Sequence, residues 1–244
     1  MTVWGIVPAA GIGSRIQPLA FSKELLPVGC RRDGALERPR AVSEYVVERM
    51  TNAGADKICV VISSGKADIV EYYGDGALGA SFAYVVQREP LGLCDAIFRA
   101  LPLVGRDDDV VVGLPDTIWF PADGLSLLDG GGLSFLCFPV AHPELFDAVV
   151  AADDGGVREI QVKAKDASSR WIWGAFKVSG AILVELCELW RARDRRDAYF
   201  GTLVNAWLAR GGRARAVRAG ESYVDVGTLD GYRRAIDLLK HRSG

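Results

Sequence analysis

An apolar run, Val3-Trp4-Gly5-Ile6-Val7, leads into Pro8-Ala9-Ala10-Gly11-Ile12-Gly13-Ser14-Arg15, and Lys23 follows in Ser22-Lys23-Glu24-Leu25-Leu26-Pro27. A buried strand that ends in small residues frees backbone N–H groups to face an anion, and a nearby arginine and lysine can neutralise it. The pattern predicts a polyphosphate site with two cations; a structural turn is the alternative for the glycines taken alone. A second apolar run, Val110-Val111-Val112-Gly113-Leu114-Pro115, ends in Asp116. A carboxylate at the carboxyl end of a central parallel strand points into the crevice, where Mg²⁺ can take it together with phosphate oxygens; a helix N-cap is the competing reading. Asp225 lies between Val224 and Val226 ahead of Gly227-Thr228, and a carboxylate so placed is costly to bury unless paired or metal-bound. Two such aspartates far apart in sequence suit one shared cation.

Other phosphate motifs fit less well. Gly11-Ile12-Gly13 begins like a dinucleotide fingerprint, but Ile16 stands where a third glycine would let the helix pack closely, and no acidic residue ends a second strand at the required distance, Asp33 lying in a polar loop. No Gly-Lys-Ser/Thr completes a Walker loop. A nucleoside triphosphate suits the turn with Arg15 and Lys23 better than NAD does.

The elements that must position these residues alternate. Strand patterns at 3–9, 57–63, 82–87 and 109–114 are separated by helical ones at 41–53, 66–73 and 92–103. Continuous Val/Ile runs with helices between them indicate a parallel sheet covered on both faces, with ligands at the carboxyl ends of its strands. Apolar runs at 133–140, 146–151, 157–163 and 171–178, separated by turns such as Asp153-Asp154-Gly155-Gly156, read as antiparallel strands. Helices follow at 180–193 and 200–210, then a strand at 214–219, the Asp225 segment at 223–227 and a last helix from Asp230. Residues 29–40 read as an exposed loop, and the arginines at 191–196, interleaved with Asp194 and Asp197, as a solvated face. The fold class expected is α/β, a Rossmann-like, mainly parallel mixed sheet with an antiparallel extension. Residues 1–244 are expected to form one unit, with a nucleotide-binding half at 1–130, a second half at 131–228 and a C-terminal helix at 229–244.

The 244-residue chain is 50% hydrophobic, which is enough for a sizeable core. Its formal net charge of -2 argues against nucleic acid or an anionic membrane as the main partner, since both need a concentrated positive field. The five cysteines, Cys30, Cys59, Cys94, Cys137 and Cys187, lack metal or redox spacing and are expected as reduced thiols of a cytoplasmic protein. No basic leader begins the chain, and no apolar stretch reaches the roughly 18 residues of a membrane span.

With the glycine–arginine loop, Ser22 to Pro27, Gln87 to Ala96, Leu114 to Thr117 and Asp225 to Thr228 in order along it, the chain resembles the sugar-1-phosphate nucleotidylyltransferases. The resemblance implies that Ala10, Gly11, Gly13 and Ser14 cradle the phosphates, that Arg15 holds the departing pyrophosphate and that Lys23 sits on the α-phosphate. It implies that Gln87 reads the pyrimidine edge, that Gly92 lets the backbone approach the base, that Asp116 and Asp225 hold Mg²⁺, and that Lys163 binds the phosphate of the sugar phosphate. The substrates implied are a pyrimidine triphosphate, dTTP ahead of UTP, and a sugar 1-phosphate; many relatives are homo-oligomers. The chemistry is in-line attack on the α-phosphorus without a covalent intermediate, so it needs no general base, and His142 and His241 are given no role.

The sugar half departs from the family. Lys163 follows Val162 where relatives carry a glutamate that binds sugar hydroxyls, Asp147 stands where they often carry glycine, and Trp173-Gly174 matches a later sugar-side glycine segment with bulky neighbours. Asp147, Val162, Lys163, Trp173 and Gly174 are therefore the acceptor candidates, and an acceptor other than glucose 1-phosphate is expected. A glycosyltransferase that uses a finished nucleotide sugar would carry an Asp-x-Asp pair, whereas Pro115-Asp116-Thr117-Ile118 has one carboxylate. A non-catalytic nucleotide-binding module is the third reading.

Overall fold

A computed structural model describes residues 2–241. In chain order the elements are β1 (Val3–Pro8), β2 (Pro27–Asp33), β3 (Leu36–Ala41), α1 (Val42–Asn52), β4 (Lys57–Ile62), α2 (Ala67–Tyr73), β5 (Gly76–Ala77), β6 (Ala80–Val86) and α3 (Leu93–Arg99). They continue with β7 (Asp109–Gly113), β8 (Thr117–Phe120), β9 (Leu133–Pro139), β10 (Asp147–Ala151), β11 (Val157–Val162), β12 (Trp171–Ser179), α4 (Gly180–Ala192), α5 (Phe200–Leu208), β13 (Ala214–Val217), β14 (Ser222–Asp225) and α6 (Leu229–Lys240).

The main sheet runs β11-β10-β12-β7-β1-β4-β6-β5, and β9 also pairs with β12 and carries β13 on its other side. Strands β7, β1, β4 and β6 are mutually parallel, while β12 joins β7 antiparallel and leads into the antiparallel β10 and β11. This is the mixed, mainly parallel α/β sheet expected from the sequence. Because side chains alternate along a strand, Ile6, Cys59 and Val112 face one core with α3, α4 and α5, and Val7, Val60 and Val111 face the other with α1 and α2. Both faces need apolar residues, which explains why the central strands read as unbroken Val/Ile runs.

Two expectations change, and one strand gains an orientation. Residues 29–40 form a hairpin, β2 with β3, not a loop. Their polarity misleads because neither face is covered over most of its length; ion pairs replace apolar contacts, with Arg31 and Arg38 each 2.7 Å from Asp33 beside the Gly34 turn and Arg38 2.8 Å from Glu44. The 92–103 helix stops at Arg99, and Leu101–Leu103 form a separate 3-10 turn where Pro102 would break the α-helical ladder. The strand near 214 runs parallel to β9.

The arginines at the end of α4 are exposed as expected, with Arg196 3.2 Å from Asp194, but Asp197 is buried, and Arg193 reaches it at 2.8 Å. No helix among the described residues is long and apolar enough to cross a membrane. All five cysteines are unpaired, and only Cys30 is exposed. Burial pushes the thiols of Cys59, Cys94 and Cys137 up to about 12, which leaves them protonated and unreactive. Titration of the native protein with a thiol reagent at mildly alkaline pH should therefore find one prompt equivalent, lost in a Cys30→Ser variant; several prompt equivalents would contradict the fold.

Candidate active site

The carboxyl ends of the parallel strands open onto a cleft of about 480 Å³ whose lining includes Gly11, Arg15, Lys23, Asp116, Lys163 and Asp225. The turn after β1 supplies Gly11 and Arg15. Gly13 adopts φ +70°, and a Cβ there would lie 2.6 Å from Cδ of Lys23, so the loop is glycine because the lysine's alkyl stem passes beneath it. Ala10 is buried under the turn, and Ser14 is exposed at its outer end.

The two aspartates are brought together by a ribbon outside the main sheet. Strands β8 and β14 pair antiparallel with Asp225 opposite Thr117, and the amide of Val226 donates to the carbonyl of Asp116 at 2.8 Å. Arg49 anchors this ribbon to α1, its buried guanidinium donating to the Trp119 carbonyl at 2.6 and 2.9 Å. Thr228 caps α6 by accepting from Gly231 at 3.0 Å, which fixes the chain's exit from Asp225.

Each aspartate meets one of the expected cations. Asp225 lies 3.1 Å from Arg15, and Asp116 is ion-paired and hydrogen-bonded to Lys23. Burial alone would lower the Lys23 ammonium; Asp116, by charge and hydrogen bond, with Glu24 and Asp225, outweighs burial and holds it above the ordinary lysine value. Lys23 is thus a fixed positive charge.

The space between the carboxylates is kept open by Gly227. A Cβ there would sit 2.8 Å from Asp225 Oδ1, 3.2 Å from Asp116 Oδ2 and 3.1 Å from Arg15. Two carboxylates around such a gap fit a divalent cation that also keeps phosphate and water ligands. Gly227→Ala should push them apart and lower turnover about a hundredfold, as displacements of roughly an ångström can; unchanged kcat in a steady-state assay would contradict this geometry.

Sequence reasoning missed the groups under the loop. Lys66, between β4 and α2, donates to the carbonyls of Ala9 (2.6 Å) and Gly11 (2.8 Å) and to both oxygens of Glu24 (2.7 and 2.8 Å). Burial raises Glu24 above its ordinary carboxyl value and lowers Lys66, each partly offset by the other. By turning those carbonyls down, Lys66 leaves the loop amides for the cleft. A signal existed: Ser63-Ser64-Gly65-Lys66 follows the carboxyl end of a parallel strand, as Asp116 does.

Gln87 is off the cleft wall. It is buried, and its amide nitrogen donates to Asp95 at 2.7 Å and to the Gly92 carbonyl at 3.2 Å, so both N–H groups are engaged inside the protein. Gly92 does reach the cleft, at φ +93°, where a Cβ would meet the Ala198 carbonyl at 2.9 Å.

Of the acceptor candidates, Asp147, Lys163 and Trp173 line the cleft opposite the phosphate loop. Lys163 Nζ lies 4.7 Å from the Tyr199 ring centroid, and its amide donates to the Phe146 carbonyl at 2.9 Å. Val162 is the cross-strand partner of Asp147 and packs toward Gly201 instead of lining the cleft. Gly174 is buried, because a Cβ there would lie 2.6 Å from the Tyr223 ring; it makes room for that ring and does not touch the cleft.

The glycine turn, the paired cations and the facing carboxylates thus gather at one cleft on a Rossmann-like sheet. The chain belongs to the nucleotidyl transferase family, whose model matches residues 4–242. It is 24% identical to a UTP–glucose-1-phosphate uridylyltransferase of Haloferax volcanii over 91% of this chain and 90% of that one. To the glucose-1-phosphate thymidylyltransferase of Neisseria meningitidis it is 24% identical over 97% of this chain and 82% of that one. A second Haloferax volcanii protein, a low-salt glycan biosynthesis nucleotidyltransferase, is 32% identical over 64% of this chain, a match that spans only 43% of that longer relative. Among solved structures, a Bacillus anthracis protein described as a glucose-1-phosphate thymidylyltransferase superposes with a TM-score of 0.81 at 25% identity, covering 97% of this chain and 95% of that one.

Proposed function

We propose that this nucleotidyltransferase joins a pyrimidine nucleoside triphosphate, dTTP or UTP, to a sugar 1-phosphate, giving a nucleoside diphosphate sugar and pyrophosphate. The observation that carries the reading is the pairing of Arg15 with Asp225 and of Lys23 with Asp116 at the mouth of the glycine turn, with Lys163 across the cleft. The resting site is charge-balanced by its own residues. When the triphosphate enters, Arg15 and Lys23 exchange their carboxylate partners for phosphate oxygens, and the amides of the Gly11–Ser14 turn receive the remainder. Asp116 and Asp225 are then free to hold Mg²⁺, which when bound neutralises charge on the triphosphate.

Lys163 holds the acceptor phosphate so that one of its oxygens attacks the α-phosphorus. That oxygen forms the new bond, the bond from the α-phosphorus to the bridging oxygen breaks, and pyrophosphate departs with the electron pair beside Arg15. The Gly92 turn approaches the base, and Gln87 holds that turn through its carbonyl. The same reading takes residues 1–130 as the nucleotide half and 131–228 as the acceptor half, in a cytoplasmic protein whose five thiols stay reduced.

The test is a matrix of triphosphates against sugar 1-phosphates with Mg²⁺, scored by pyrophosphate. Release that depends on both substrates is expected. Transfer from a finished nucleotide sugar without pyrophosphate would replace this reading with that of a glycosyltransferase, and no turnover with retained nucleotide binding would leave a binding module.

A further inference from the structure

We infer that the acceptor of this enzyme carries a protonated nitrogen as well as its phosphate, and that Asp147 receives it; the inference rests on the transferase reading above and specifies its acceptor. Asp147 opens β10, which β12 and β7 separate from β1 and its glycine turn, and it lines the cleft. Among the described residues its carboxylate makes no ion pair: the Lys163 charge acts on it only from a distance, and its other neighbours are the neutral Trp173 indole and the amide of Gly201 in the first turn of α5, with Oδ2 3.1 Å from where a Gly201 Cβ would lie. Its cross-strand partner is Val162, so the rung offers no second polar side chain.

Burial raises the Asp147 carboxyl above its ordinary value, offset only in part by the Trp173 indole, the Lys163 charge and the Gly201 amide. When an acceptor fills the cleft and expels the remaining water, a hydroxyl would add one more neutral donor to this carboxylate, whereas an ammonium would also neutralise its charge.

The walls agree with a cation. Phe146 and Trp173 line this end of the cleft with Tyr223, which packs edge-to-face on Phe146 at 5.8 Å, and the half-exposed Tyr199 closes the mouth. Ring faces attract ammonium groups, as Tyr199 already does with Lys163. The cleft thus carries the positive loop, Lys163 and the negative Asp147, whose cross-strand partner Val162 directly precedes Lys163. A phosphate ester that also carries an amine matches those charges, and an amino sugar 1-phosphate is the ligand of this kind that fits the proposed reaction.

The experiment compares glucosamine 1-phosphate with glucose 1-phosphate and N-acetylglucosamine 1-phosphate, using dTTP or UTP and scoring pyrophosphate. The amino acceptor should exceed both neutral ones by at least about tenfold in kcat/KM, since a buried polar partner rejects ligands that leave it unpaired. In Asp147→Asn, a near-isosteric change whose fold is checked by thermal melting, that ratio should collapse, with the loss in the acceptor's kcat/KM and not in the nucleotide's KM. Equal use of neutral and amino acceptors, or a ratio unchanged by Asp147→Asn, overturns the inference while leaving the transferase reading intact. Should no acceptor release pyrophosphate, calorimetric binding of the three sugar phosphates to wild type and Asp147→Asn decides it directly: preference for the amine, lost in the variant, supports it, and absence of preference overturns it.

Discussion

Asp116→Asn is expected to lower kcat by about 10²–10³, the range seen when one group that acts on developing charge is removed. The variant should remain folded, because the asparagine oxygen still accepts from Lys23 and the loss of charge is partly covered by Glu24 and Asp225. Lys23 gives this variant a second readout. In the wild type its folded-state value lies above the ordinary one, so its contribution to stability is complete below the unfolded lysine value and fades as pH rises through the folded one. Without Asp116 burial dominates and the Lys23 value falls. The stability gap between wild type and variant should thus be present at neutral pH and close at strongly alkaline pH. Near-normal kcat in a pyrophosphate assay would remove Asp116 from the cation pair.

The second large effect is expected at a residue that does not line the cleft. Lys66→Met strands Glu24, which is 1% exposed, and takes the donor from the carbonyls of Ala9 and Gly11. Breaking a buried ion pair from one side typically costs about 3–5 kcal/mol, which for a chain of this size lowers Tm by roughly 6–20 °C. The nucleotide KM should rise as well, because the loop carbonyls are free to turn toward the phosphates. In the variant Glu24 has burial without its main counter-charge, so its value climbs further. A carboxyl raised in the folded state contributes stability that is lost as pH increases, and the variant should melt higher near about pH 5 than near about pH 7. Adding Glu24→Gln should recover much of the lost Tm. If the single variant melts like the wild type at both pH values, the buried pair does not support the loop.

Much of the charged cluster around the glycine turn was legible in the sequence because its logic is local. A strand that ends in glycines, or in an aspartate, declares its chemistry within a few residues, so the β1 turn, Asp116 and Asp225 were all found, and the structure unites them. What was illegible depends on partners distant in sequence. Lys66 looks like any lysine before a helix until the fold sets it under Ala9 and Gly11. Gln87 looks available to a base until Asp95 claims its amide. Gly174 reads as a site glycine, but the Tyr223 ring explains it. The hairpin at residues 29–40 escaped because hydrophobic alternation is the usual sign of a strand, and this one is held by ion pairs among arginines, Asp33 and Glu44.

The ribbon of β8 and β14 also sets an order in time. The glycine turn, Lys23 and Asp116 all lie in the first half of the chain and are made early, although β7 and β8, which flank Asp116, pair with β12 and β14 of the second half. Asp225 and Gly227 come from the last strand and the turn before the final helix. A chain emerging from the ribosome therefore carries the glycine turn long before the second carboxylate, and the charged cluster closes only once β14 has been made. A product cut short before Ser222 would keep Arg15, Lys23 and Asp116 yet lack Asp225, and β8 would lose its pairing strand.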